Sequence, residues 1–146
     1  WLAHLQTTPR GWLAVWALAA VLGFAVGVAT LVRKATRHGV ALTRQPARGF
    51  TFALLPPLLA GALLSGAWVE AGNYGALPGT WLLLYGTAVI TAGAYSVRVL
   101  PLFGGALVAL GALALFIPTL GDLGMALGFG VLQIASGVYV ARRHGG

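Results

Sequence analysis

The sequence predicts an all-α protein, a polytopic transmembrane bundle of five spans, and three observations carry that prediction. The chain is 59% hydrophobic and 8% charged, where about 25% charged is usual for a soluble domain. Five apolar stretches of near-membrane length follow one another with short polar gaps. A shift of 44 positions lays about 101–142 over about 57–98, as a parallel duplication of a helical hairpin would.

A globule of 146 residues in water must cover itself with polar side chains, and two acids with nine bases are too few. Hydrocarbon is therefore the expected solvent, and the mean hydropathy of +0.90 agrees. A crossing of about 30 Å needs roughly 20 apolar residues in a helix. Such stretches run over 12–32, 50–69, 80–97, 99–117 and 123–141, none with a formal charge inside it. Continuous apolar runs argue against a transmembrane β-barrel, whose strands alternate polar and apolar. The whole of 1–146 thus reads as a single transmembrane domain.

Taken in order, span one follows Arg10 and ends in "GVATLVRK" (Gly27–Lys34). The segment "RKATRHGVALTRQPAR" (Arg33–Arg48) leads into span two, where Pro56-Pro57 reads as a turn near a helix start, with a bend as the alternative. Span three closes on Tyr95 and Arg98, and span four opens at Pro101, where a missing N–H costs little. Span five opens at Gly121-Asp122, which reads as a helix cap, and closes on Tyr139, Arg142 and Arg143. Tyrosine prefers the wet apolar boundary and arginine the headgroups, so Tyr95 and Tyr139 are expected to anchor depth.

The bases set the direction. Arg33, Lys34, Arg37, Arg44 and Arg48 lie between spans one and two, Arg98 between three and four, and Arg142 and Arg143 after five. Only Arg10 falls on the other side, together with Glu70 and Asp122. The positive-inside rule then places the amino end outside and the carboxyl end in the cytoplasm. The same bases are candidates for contact with anionic inner-leaflet lipid or with a partner. A net charge of +7 divided among these gaps lacks the polar basic face that nucleic acid needs. Trp1 is not an initiator methionine, and the partial echo of "GAYSVR" in span one suggests a further crossing upstream, for six helices in all.

The duplication is legible residue by residue. "GTAVITAGAYSVR" (Gly86–Arg98) and "GVLQIASGVYVAR" (Gly130–Arg142) share Gly, Ile, Gly, Tyr and Arg in register. The same offset pairs Pro57-Leu58 with Pro101-Leu102 and Gly61-Ala62-Leu63 with Gly105-Ala106-Leu107. The hairpin copies are thus about 57–98 and 101–142. Gly23 and Gly27 are four apart, as are Gly124 and Gly128, while Gly86 and Gly93 repeat the spacing of Gly130 and Gly137. Small residues let helix backbones approach where no hydrophobic effect drives them together, so helix packing is their expected role.

Candidate chemistry is sparse. Gln133 is the most polar side chain deep in a span, suited to an interhelical hydrogen bond or to the wall of a solute path. Ser65, Thr87, Thr91 and Ser136 can each satisfy themselves on a carbonyl one turn back. Glu70 and Asp122 are read as solvated turn residues, and His4, His38 and His144 lie outside the spans, so neither catalytic nor metal residues nor a cofactor are expected. With no cysteine, disulfides and thiolate sites are excluded.

The stretch Pro101–Gly146, with its "FIP" at Phe116–Pro118, resembles small multi-spanning membrane proteins of high-GC bacteria. More distantly it resembles the hairpin repeat of HdeD-like acid-resistance membrane proteins, from which "WVEAGNYGALPG" (Trp68–Gly79) departs in the first copy. The resemblance implies a helical hairpin bundle and transfers no catalytic residue. The function expected is a non-enzymatic membrane protein, an accessory or structural subunit that contacts lipid and other subunits or copies of itself. The alternative is a small-solute or ion pathway, which requires polar groups to converge around Gln133.

Overall fold

A computed structural model describes residues 8–38, 45–93 and 99–144, and every described element is helical. The chain divides into two units, Trp1–Arg44 and Gln45–Gly146. Among the described residues the first holds one helix, α1 (Pro9–His38). Its start obeys local chemistry: the Gly11 N–H donates to Thr8 Oγ1 at 3.1 Å and the Trp12 N–H to the Thr8 carbonyl at 2.9 Å. Thr8 is thus the cap and Pro9 the first helical residue, where its absent N–H is not missed. One turn on, the Trp12 and Trp16 rings meet with centroids 6.3 Å apart.

The second unit contains α2 (Gln45–Glu70), α3 (Ala76–Gly93), α4 (Leu100–Phe116) and a composite fifth helix. That last helix opens with a 3₁₀ turn, Pro118–Leu120, and continues as α5 (Gly121–Met125), a π-helical stretch (Ala126–Leu132) and α6 (Gln133–His144). The five expected spans fall on these helices, apart from residues 94–97 of the third, which lie outside the described residues. Phe52–Glu70, Ala76–Gly93 and Pro118–Tyr139 are long and apolar enough to cross a membrane, whereas Gly11–Gly23 and Leu100–Phe116 are shorter.

Two turns have clear causes. Gly72, at φ 68°, takes the left-handed conformation after α2. Its N–H reaches the Val69 carbonyl and the Asn73 N–H reaches the Trp68 carbonyl at 2.8 Å, closing the helix end as a Schellman motif. At the other turn, Pro118 stops α4 because the residue before a proline, Ile117, is driven out of helical geometry.

Two expectations for helix starts need correction. Pro56 and Pro57 lie inside the 26-residue α2, because the helix begins eleven residues earlier than the prolines, at Gln45. There Pro46 takes the early position suited to a proline. Asp122 is not the cap: Leu120 holds that place, and Asp122 sits in the first turn of α5, where its charge complements the helix dipole.

The core is an antiparallel seam between α3 and α4. A Cβ added at Gly79 would fall 2.7 Å from the Leu115 nitrogen, and one at Gly86 2.8 Å from the Gly104 oxygen. One at Gly93 would meet Pro101 Cδ at 2.6 Å, and one at Gly111 the Leu83 nitrogen at 2.7 Å. Glycine recurs every seven residues on both helices, so backbone lies against backbone along the seam. The fifth helix adds a second contact through Gly121 on Pro78 and through Gly124 and Gly128 on Leu82. α3 therefore has neighbours on three sides, and 56% of it is buried, against 6% of the Phe52–Glu70 stretch of α2.

Other glycines expected to pack do not. Gly23, Gly130 and Gly137 have nothing within 4 Å of an added Cβ. The heptad spacing of Gly130 and Gly137 is real, but the π-helical stretch and the choice of Gly121, Gly124 and Gly128 as the contact row turn them away from α3 and α4. The side chains of Lys34, Arg37 and Arg48 and the surroundings of Gly27 lie outside the described set, as do Arg44, Tyr95 and Arg98 entirely.

A candidate polar cleft at Tyr85 and Gln133

The polar groups inside the helices fall into two sets. The first joins α2 to α3. Trp68 Nε1 donates to Thr80 Oγ1 at 3.1 Å, and Thr80 Oγ1 donates to the Ala76 carbonyl at 2.7 Å. A second pair repeats the arrangement: Trp81 Nε1 donates to Ser65 Oγ at 2.9 Å, and Ser65 Oγ donates to the Gly61 carbonyl at 2.7 Å. Each hydroxyl spends its proton one turn back and its lone pair on an indole of the facing helix. The Trp81 ring lies over Gly61, 3.1 Å from where a Cβ would stand, so the small residue admits the ring that makes the bond.

The second set surrounds Gln133, where Gln133 Nε2 donates to Tyr85 Oη at 2.6 Å. Ser136 Oγ donates to the Gln133 carbonyl at 2.9 Å. The Tyr85 ring packs on Phe129, centroids 5.1 Å apart. The π-helical stretch explains this meeting. Each residue added to a helical turn rotates the remainder of the helix by about 100°. Phe129 inside the stretch and Gln133 at its end are both brought to Tyr85.

A cleft of about 130 Å³ opens beside this pair, lined by Leu54 of α2, by Tyr85, Val89 and Ala92 of α3, by residues of α4 and by Leu132, Gln133 and Ser136. All four helices of the unit contribute. Its walls are apolar apart from the phenol, the carboxamide and the Ser136 hydroxyl, and it contains no formal charge.

The remaining candidates are dispersed. Thr87 and Thr91 donate to the Leu84 and Thr87 carbonyls, which uses up their protons. Glu70 and Asp122 are both exposed at helix ends, and no group of three or more metal-capable side chains occurs among the described residues. Arg142 and Arg143 are exposed, with the Arg143 guanidinium 5.6 Å from the Tyr139 ring centre, within cation–π range. Leu54 near the start of α2 and Ser136 of α6 line the same cleft, so α2 begins at the end of the unit where α6 finishes on Arg142 and Arg143. Arg33 is exposed on α1.

Sequence reasoning singled out Gln133 and missed Tyr85. The signal was present: Tyr85 carries a polar oxygen inside span three without a basic residue nearby to mark it as a boundary anchor. The indole–hydroxyl pairs were also missed, because residues 12 and 16 positions apart meet only once α2 and α3 are folded together. No protein-family model, curated protein or solved structure matches this chain.

Proposed function

We propose that the chain is a non-enzymatic integral protein of the bacterial cytoplasmic membrane, an accessory or structural subunit of a larger membrane assembly. The supporting observation is the apolar surface that its helices turn outward. Leu63 is 77% exposed, Phe52 66%, Leu102 74%, Val131 60% and Ile134 69%. A water-soluble monomer does not turn this many large apolar side chains outward; lipid tails and neighbouring membrane helices cover them at no cost. The open Gly130 and Gly137 sit within that surface and would let a neighbouring helix approach closely. The hairpin duplication and the five crossings belong to the same reading. The amino end lies outside, and Arg33, Lys34, Arg37, Arg44, Arg48, Arg98, Arg142 and Arg143 face the anionic inner leaflet.

Affinity purification in a mild detergent tests it. Membrane extraction resistant to alkaline carbonate, with reproducible co-purifying subunits, is the expected result. Release by carbonate would overturn the membrane reading, and a chain that purifies alone would overturn the subunit reading.

A second reading, a small-solute pathway, is favoured by the convergence of Tyr85, Gln133 and Ser136 on one cleft. Proteoliposomes loaded with uncharged solutes test it: faster efflux than from protein-free vesicles supports a pathway, and equal efflux removes it.

A further inference from the structure

We infer that the Tyr85–Gln133 cleft is a binding site for a small, uncharged hydroxyl compound of about the size of phenol. Size comes first. The cleft measures about 130 Å³, slightly below the roughly 150 Å³ apolar cavity that takes up benzene, so one six-membered ring or a short branched chain fills it. Charge comes next. No ionic partner lines the cleft, and a charged ligand would lose its hydration without compensation. The ligand is therefore neutral.

The polar groups then specify the head. Tyr85 Oη accepts from Gln133 Nε2, and among the described residues its own proton has no acceptor. Gln133 Oε1 likewise has no donor among them. A donor and an acceptor thus stand side by side at the rim of the cleft, Tyr85 half-buried and Gln133 exposed, with the Ser136 hydroxyl the one further polar side chain of its lining. A hydroxyl group is complementary to both, since it accepts from Tyr85 and donates to Gln133 Oε1. The apolar remainder lies against Leu54, Phe103, Leu107 and Leu132. The Phe129 ring packs on the Tyr85 ring and the Gln133 carboxamide is tied to the phenol by its own hydrogen bond, so the pair is placed before a ligand arrives. An ether or hydrocarbon of the same size satisfies one partner or neither. Such a compound would enter from the bilayer, where neutral amphiphiles concentrate.

The site shares its cleft with the solute-pathway reading but does not depend on flux: binding without efflux keeps the site and drops the pathway. The test is ¹⁹F NMR of 4-fluorophenol added to the purified protein in detergent, with fluorobenzene as the control ligand and empty micelles as the background. A saturable shift is expected for 4-fluorophenol, with binding weakened by about threefold to tenfold in Tyr85→Phe and in Gln133→Leu, one hydrogen bond each. Val89→Phe, which fills the cleft from its wall, should abolish saturation while far-UV circular dichroism shows the helices intact. A shift that matches empty micelles, or a saturable one that Tyr85→Phe and Val89→Phe leave unchanged, would overturn the assignment.

Discussion

Three pairs of glycines 44 positions apart share an identity and differ in their surroundings. Gly86 of α3 is clamped on the α4 backbone, while Gly130 has nothing within 4 Å of an added Cβ; Gly93 meets Pro101, while Gly137 is open. Gly61 is covered by the Trp81 ring, and Gly105 is bare. The contrast extends to hydrogen bonding. The indole–hydroxyl pairs Trp68–Thr80 and Trp81–Ser65 correspond by position to Ala112 with Gly124 and to Met125 with Ala109. One hairpin is joined by directed bonds and the other by small residues that permit close contact. The difference lies in what each glycine face meets. α4 occupies the glycine face of α3, whereas among the described residues nothing lies within 4 Å of a Cβ added at Gly130 or Gly137. Repeated letters become repeated contacts only where a neighbour is supplied.

The comparison breaks most visibly at its glycines. Gly86→Leu should destabilise the unit by about 3 kcal/mol or more, because the new side chain meets backbone that has no room to retreat. Gly130→Leu should change stability by less than about 0.5 kcal/mol in the isolated chain. Unfolding in mixed SDS micelles, followed by circular dichroism, measures both. Equal losses would mean that the two faces are packed alike after all. A loss at Gly130 that appears only in the native membrane would place a neighbouring helix there.

The turns give the next effect. Gly72→Ala should cost about 1 kcal/mol through its positive φ, and the same unfolding assay reads it. Phe116, the position 44 residues on, is 84% exposed, and Phe116→Ala should leave stability within the error of that measurement. The smallest effect concerns the bonds that only the first hairpin has. Ser65→Ala removes the acceptor of Trp81 Nε1 and should cost about 0.6 kcal/mol, the average for a hydrogen bond between membrane helices. Trp81 emission should shift with it, since its indole loses a partner. Ala109→Ser, which puts a hydroxyl at the matching place, should gain nothing because Met125 offers no donor.

Much of the helical layout was legible because each helix advertises itself locally. Apolar runs bounded by bases and turn residues placed all five stretches, and Pro101 and the hydroxyls of Ser65, Thr87, Thr91 and Ser136 behave as short-range rules require. Helix starts were less legible. Pro56-Pro57 reads as a boundary by local chemistry, yet the helix begins at Gln45. Of the site, Gln133 is marked plainly, since an amide stands out in an apolar run, and Tyr85 only faintly, by a phenol that lacks the neighbouring base of a boundary anchor.

Composition and periodicity by themselves determined that this chain is helical, how its apolar stretches are divided, and that glycine would be the means of close packing. They work over a few residues, where a carbonyl, a proline ring or a missing Cβ acts on its immediate neighbours. Which glycines carry the packing, and that Gln133 meets Tyr85 across 48 positions, was decided only when helices took their rotations about their own axes. Those rotations depend on every contact of a helix at once, and a π-helical stretch changes them without leaving a mark in the hydropathy pattern.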